Sequence, residues 1–367
     1  MPAWRNLVDA TDLKSVGYLY PCQFKSGRGH HFFWVDLLSL ALQYNISDIK
    51  ELLKDDLNVV NNLLQDTVNQ HCKLIADIGN NIFSAGGKKI RPMLTILSGK
   101  LFNYNSKELY YLATAVELIH SATLLHDDVI DNSELRRGKH TANKTYGNKS
   151  SILVGDFLFA ESFKLMVKSN SLKSLMILSD ASSIISEGEV KQLELKQKKV
   201  FSKQEYLAVI EAKTAVLFGA ATESATALAG RSENECKLLK EFGINLGIAF
   251  QIIDDILDYS AKENLLGKNI GNDFFEKKIT LPIILLYYQS NKLAQQEITK
   301  LFNQDRLDTT HLNEVVSLLD KNNIFHQCYS YAETYINNAI KILNNFSSNK
   351  SKDILETICY IALSRKY

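Results

Sequence analysis

The chain has 367 residues, 46% of them apolar, which is enough for a sizeable core in one large or two small domains. Lys and Arg number 42 against 41 Asp and Glu, and a net charge of +1 argues against a nucleic acid or other polyanion as partner. Five widely spaced cysteines with no CxxC pair argue against a disulfide framework or a zinc site, and no run reaches the ~18 apolar residues of a membrane span, so a cytoplasmic protein is expected.

Residues 1–34 carry both Trp residues and scattered Gly without a helical period. Residues 1–44 are therefore expected to form an N-terminal extension, disordered or foreign to the fold that follows, with no catalytic role. The apolar stretch FFWVDLLSLAL at 32–42 is broken by Asp36 and has no small-residue cleavage site after it, so it does not read as a signal segment. From Asn45 onward the pattern is helical. Ser47 opens a helix whose apolar positions Ile49, Leu52, Leu53, Leu57, Val60, Leu63 and Leu64 recur at helical spacing. Further helices are predicted over 67–83, 91–102, 106–130, 150–168, 171–197, 203–229, 232–259, 280–290, 293–302, 309–320, 323–345 and 351–364. Only 4 Pro and 17 Gly interrupt them, and 260–278 reads as a polar, Gly-containing loop. No strand series or solenoid repeat is present. The expected fold is an all-α helical bundle around a central apolar cavity, with one domain over 45–367.

Two segments at the ends of apolar helical runs read DDxxD: Asp127-Asp128-Val129-Ile130-Asp131 and Asp254-Asp255-Ile256-Leu257-Asp258. Positions i and i+4 share a helix face, so Asp127 aligns with Asp131 and Asp254 with Asp258. The i+1 carboxylate projects roughly 100° around the helix. A lone copy reads as a solvated acidic helix end; two copies, each closing an apolar helix, point to a shared site. Six gathered carboxylates repel unless cations neutralise them, and Mg²⁺, which binds through carboxylates and substrate phosphates, suits them.

Basic segments accompany the acidic ones. Lys88 and Arg91 stand three apart in GGKKIRP before a helix, Arg136 and Arg137 follow the first acidic motif, and Lys268 and Lys278 flank the loop after the second. Each alone reads as a solvated charge. Together with the carboxylates they describe a site for metal ions and the phosphates of more than one substrate, Arg binding bidentately and Lys as a point charge. His120 lies seven residues before Asp127, about two turns, on the same face. His126 points away from Asp127 and reads as structural.

Over about residues 45–367 the chain resembles the trans-polyprenyl diphosphate synthases, closest to the long-chain octaprenyl kind. The likeness is carried, in the family's order, by GGKKIRP, ELIHSATLLHDDVIDNSELRRGK, TYGNKSSILVGDFLF, SEGEV, EAKTAVLF, GIAFQIIDDILDY and LGKNIGNDFFEKKITLP. The resemblance implies an isoprenoid-synthase bundle, acting as a homodimer, that condenses isopentenyl diphosphate onto an allylic diphosphate such as farnesyl diphosphate. It implies three Mg²⁺ ions held by Asp127, Asp131 and Asp254, with Asp128, Asp255 and Asp258 acting through water or a neighbour. Arg136, Lys213 and Lys268, and also Lys278, are then expected on the allylic diphosphate. Lys88, Arg91, His120 and Arg137 are expected on isopentenyl diphosphate. Thr214 and Gln251 are expected to steady the allylic cation.

By the same resemblance, the small residues Ala122 and Thr123 leave room below the first motif for a long product, most compatible with octaprenyl diphosphate for a ubiquinone side chain. The tunnel floor is expected among Phe157, Phe163 and Met166. Release of so apolar a product implies transient membrane contact. The chain departs from the family where Asn272 replaces an Asp and Lys277 a Gly, a change expected to alter loop closure. A medium-chain, geranylgeranyl-type synthase and a non-catalytic regulatory subunit are the alternatives, although all six motif carboxylates are kept. A class I terpene cyclase would lack the second DDxxD and GGKxxRP, and a purely structural bundle leaves the charges unexplained.

Overall fold

A computed structural model of the chain describes residues 45–84, 87–136, 138–198, 201–260, 271–304 and 306–365. The expected extension at 1–44, and with it Gly86, Arg137 and Lys268, lies outside the described residues.

Helices dominate, as the 3.6-residue period requires. Asn45, not Ser47, caps the first of them: its side chain accepts from the backbone of Ser47 and Asp48, and Asp48 returns a bond to the Asn45 N–H. The helices α1 (Ile46–Leu52), α2 (Lys54–Asn69) and α3 (Lys73–Ser84) follow. The break predicted near residue 65 falls instead at 70–72, because Val68 is wholly enclosed and carries α2 one turn further. Next come α4 (Ile90–Lys100), α5 (Lys107–Ile130), a two-residue antiparallel ladder of β1 (Leu135–Arg136) and β2 (Lys139–His140), α6 (Ala142–Tyr146), α7 (Asn148–Lys168) and α8 (Leu172–Lys198). The ladder was not foreseen; strands so short carry no period.

The expected single helix over 203–229 is α9 (Lys203–Ile210), a π-helical turn (Glu211–Ala215) and α10 (Val216–Leu228). No residue type announces a π-turn, but such turns are frequent at functional sites, and this one carries Lys213 and Thr214. After α11 (Glu233–Ser260) come α12 (Asn272–Phe275), α13 (Leu281–Gln289), α14 (Lys292–Asn303), α15 (Thr309–Lys321), α16 (Ile324–Leu343) and α17 (Lys350–Leu363).

Helix α10 is the axis. Nearly all its side chains from Val216 to Thr226 are buried, because α11, α8, α4 and α5 surround it. A helix apolar on every side belongs in a core. Each enclosed side chain such as Phe218, Phe242 or Leu239 contributes about 1.5–3 kcal/mol. Two glycines set the approach of the helices that bear the site. A Cβ at Gly247 would meet the Ala215 Cα at 2.5 Å, and one at Gly188 would meet the Ala212 Cβ at 2.8 Å. Both contacts press neighbouring helices against the π-turn, and any larger residue would push it outward. Outside this layer α7 packs on α5, and α16 packs on α11.

Candidate active site

The two acidic motifs open onto one cavity of about 690 Å³. On α5, Glu117, His120, Thr123, Leu124, Asp127 and Asp131 line it, a row at helical spacing. On α11 the lining residues are Phe250, Gln251, Asp254, Asp255, Leu257 and Asp258. Leu124, Ile185, Leu217, Phe218 and Phe250 contribute apolar lining to the same cavity. Lys88 and Arg91 stand at the start of α4, and the Arg91 guanidinium lies 4.6 Å from the Phe218 ring centre.

The second Asp of each motif behaves differently from the first. Asp128 is buried and absent from the wall, and the Nε and Nη2 of Arg136 both donate to its carboxylate at 2.7–3.1 Å. It was expected to act only through water or a neighbour, and here that neighbour is Arg136, because its rotation around α5 turns it to the β1–β2 ladder. Arg136, expected on the allylic diphosphate, does reach the wall, but with Asp128 already in its grip. Asp255 is also buried. Its Oδ2 accepts from the Tyr206 hydroxyl at 2.6 Å and its Oδ1 from Gln251 Nε2 at 2.8 Å. Thr214 Oγ1 donates to Gln251 Oε1 at 2.9 Å, so Gln251 is held at both ends. Asp258 accepts the Asp273 backbone N–H at 3.0 Å and so anchors α12.

Two lysines sit among the remaining carboxylates. Lys213 Nζ lies 2.8 Å from Glu189, 3.6 Å from Asp127 and 3.1 Å from Gln192 Oε1. Lys278 Nζ lies 2.6 Å from Glu276 and 3.0 Å from Asp131. Burial opposes the charge of both ammonium groups, but the facing carboxylates outweigh it and hold both lysines charged. Burial, then the charge of Asp131, raises the Asp127 carboxyl above its ordinary value, although Lys213 pulls the other way. Burial, then Asp127, raises Glu189 likewise. Asp131 ends below its ordinary value, since Lys278 overcomes the effect of burial. Burial, then Asp273, pushes Asp255 well up.

The donor set fits Mg²⁺. It is all hard oxygen, and its buried like charges need a cation. Among the described residues no three acidic, His or Cys side chains form a ready cage; Mg²⁺ takes one or two carboxylates and fills the rest of its shell with water and substrate phosphate.

The small residues below the first motif and the candidates for the tunnel floor stand differently from one another. Thr123 lines the cavity, but Ala122 is wholly enclosed and is not in the wall. One residue is a 100° turn, and Ala122 shares the side of His126, whose Nε2 lies 3.3 Å from Asp156 of α7. None of Phe157, Phe163 and Met166 lines the cavity: Phe157 packs edge-on to His71, Phe163 packs on Phe159, and Met166 is in the core. Residues the sequence reading missed include Glu117, Glu189, Glu276 and Arg365. Glu117 continues the lining face of α5, a signal that was available. Arg365 comes from the far end of the chain to pair with Asp254 at 2.6 Å, and no local signal marks it.

Residues 72–319 match the polyprenyl synthetase family model. The chain belongs to that family. It is 38% identical to the octaprenyl diphosphate synthase of Escherichia coli, over 88% of this chain and 99% of the relative. The octaprenyl diphosphate synthase of Haemophilus influenzae is 35% identical, over 88% and 98%. A polyprenyl synthase of Caulobacter crescentus, solved with calcium and isoprenyl diphosphate, superposes with a TM-score of 0.84 at 37% identity, over 88% of this chain and 98% of that one. The all-α isoprenoid-synthase fold and a prenyltransferase activity that makes long polyprenyl diphosphates follow.

Proposed function

We propose that this polyprenyl synthetase extends farnesyl diphosphate with isopentenyl diphosphate to all-trans octaprenyl diphosphate, for a ubiquinone side chain, using three Mg²⁺ ions. One observation carries the reading: Asp127 and Asp131 of the first motif and Asp254 and Asp258 of the second line a single cavity together with Leu124, Ile185, Leu217, Phe218 and Phe250. The likeness to two octaprenyl diphosphate synthases over most of the chain supports the product.

Asp127, Asp131 and Asp254 would hold the ions at the rim, which take up the negative charge that develops as the allylic diphosphate departs. Lys213 and Lys278, already charged and enclosed, turn from their carboxylates to the diphosphate oxygens. The Gln251 carbonyl, held by Thr214 and by the bond from its amide to Asp255, presents a fixed dipole beside the forming allylic cation. Lys88, Arg91 and His120 hold isopentenyl diphosphate so that its double bond faces that cation, and the proton then lost goes to the released diphosphate. Arg137 and Lys268, outside the described residues, are assigned to the two diphosphates by the family resemblance alone.

A homodimer is part of this reading. Leu153 and Val167 on α7 and Leu172 and Met176 on α8 are each more than half exposed, an apolar face that a second copy would cover. Among the described residues no helix is long and apolar enough to cross a membrane, so product release is assigned to transient contact with a lipid surface. Cys72, Cys236, Cys328 and Cys359 are all unpaired, which suits a reducing cytoplasm.

The test is to incubate the protein with farnesyl diphosphate, isopentenyl diphosphate and Mg²⁺ and to size the products. A single dominant octaprenyl product is expected. A geranylgeranyl product would move the chain to a medium-chain class, and no elongation would sink the catalytic reading.

A further inference from the structure

The start of α4 contains a residue in a conformation it should avoid. Lys89 has φ 54° and ψ 34°, the left-handed region, where a side chain costs energy and Gly is preferred. Such a residue persists only where its surroundings over-determine it. Two contacts do so here. The Lys89 Nζ lies 3.0 Å from the Glu117 carboxylate of α5, with both side chains about nine-tenths enclosed. On the other side of the turn, Lys50 Nζ donates to the Gly87 carbonyl at 2.9 Å. The turn Gly87–Lys89 is thus tied to α1 at one end and to α5 at the other, with Lys88 between the ties and Arg91 one step into the helix.

We propose that the Lys89–Glu117 ion pair is a positioning device for the isopentenyl diphosphate pocket. It holds the turn in its left-handed form so that the Lys88 and Arg91 side chains enter the cavity together, without itself taking the phosphate. The inference rests on the reading of Lys88 and Arg91 as the isopentenyl diphosphate contacts. Glu117 also lines the cavity. A carboxylate there would repel a diphosphate unless a cation answered it, and Lys89 is that cation. Lys89 lines the same cavity, but its charge is spent on Glu117, which separates its role from that of Lys88.

The decisive variant is Lys89→Gly/Glu117→Gln. Gly accepts the positive φ without strain, and the paired change leaves no buried charge alone, so Tm should stay at the wild-type value. The KM for isopentenyl diphosphate should nevertheless rise roughly tenfold, because a displaced contact costs rate even where the fold is intact, while the KM for farnesyl diphosphate stays unchanged. Glu117→Gln alone should raise the same KM, and Lys89→Arg, which keeps the pair, should leave it near wild type. A wild-type KM for isopentenyl diphosphate in the double variant would overturn the proposal. So would a lowered KM in Glu117→Gln, since that would mean a freed Lys89 binds the phosphate directly. Arg91→Ala separates the two levels: if it leaves the isopentenyl diphosphate KM unchanged, the assignment of the pocket has failed rather than the role of the ion pair.

Discussion

Lys278 Nζ lies 3.0 Å from Asp131 Oδ2, so the segment that follows the second acidic motif is fastened to the first. Lys278 also meets Glu276 at 2.6 Å and Asp273 at 3.8 Å. One ammonium group is therefore shared by three carboxylates of one cavity and joins two elements that come from distant parts of the sequence.

Replacing it should expose that dependence. In Lys278→Met the three carboxylates lose their cation, at a cost of about 3 kcal/mol, as for other ion pairs broken in partly dry surroundings. Added Mg²⁺ should recover part of the loss, because it supplies charge to the same oxygens. Thermal unfolding with and without Mg²⁺ checks this; equal Tm shifts in wild type and variant would refute it.

The two Asp residues that open the first motif should separate activity from stability. Asp127→Asn removes a carboxylate that burial and Asp131 already disfavour, so turnover should fall by about a thousandfold while stability holds or rises. Asp128→Asn leaves the Arg136 guanidinium without its anion and should cost about 3 kcal/mol of stability. Urea unfolding beside steady-state kinetics distinguishes the two.

The raised carboxyls of Asp127 and Glu189 imply proton release on metal binding, since ligating oxygens must be ionised. Each group binds its proton more tightly when folded. Its stabilising contribution is present below the unfolded-state value and is lost as pH rises through the higher folded value. Asp131, shifted down, acts oppositely: it stabilises above the unfolded-state value and loses that contribution as pH falls. Binding of Mg²⁺ with a diphosphate should thus release more protons from these two carboxyls at acid pH than at alkaline pH. Calorimetry in buffers of unlike ionisation enthalpy measures the count.

Product length should answer to the wall of the cavity. Thr123→Tyr adds a ring at the cavity wall and should shorten the main product. Ala122→Tyr instead forces a ring between packed helices and should cost about 1–3 kcal/mol in stability. Product sizing with a melting curve for each variant tests both; a shortened product from a fully stable Ala122→Tyr would place the tunnel on the other side of α5.

Asn272 stands at the cavity wall, at the position where the family resemblance leads one to expect an Asp, and brings no negative charge there. Asn272→Asp should reach half-maximal activity at a severalfold lower Mg²⁺ concentration. A titration of rate against Mg²⁺ decides the matter, and an unchanged midpoint would show that position 272 does not feel the ions. Lys277 has φ 59°, so this chain accepts local strain at the very turn that leads Lys278 back to Asp131.

Much of this protein was legible in one dimension. Helix period placed α5, α7, α8 and α11 within a residue or two, because their apolar faces repeat over many turns. The same period aligned His120, Asp127 and Asp131 on one side of α5, since relative direction along a helix is fixed by its pitch. The spacing also showed that the second Asp of each motif is turned roughly 100° from the first. What it could not show is where that turn leads. That Asp128 meets Arg136, that Asp255 meets the Tyr206 hydroxyl and that Asp254 meets Arg365 depend on how each helix is turned about its own axis against its neighbours. Packing sets that angle through contacts such as Gly247 on Ala215 and Gly188 on Ala212, which join residues far apart in the chain. For the same reason Ala122 faces α7 while Thr123, one residue on, faces the cavity. Residue chemistry and spacing determined what the site would hold; the rotation of packed helices decided which side chains hold it.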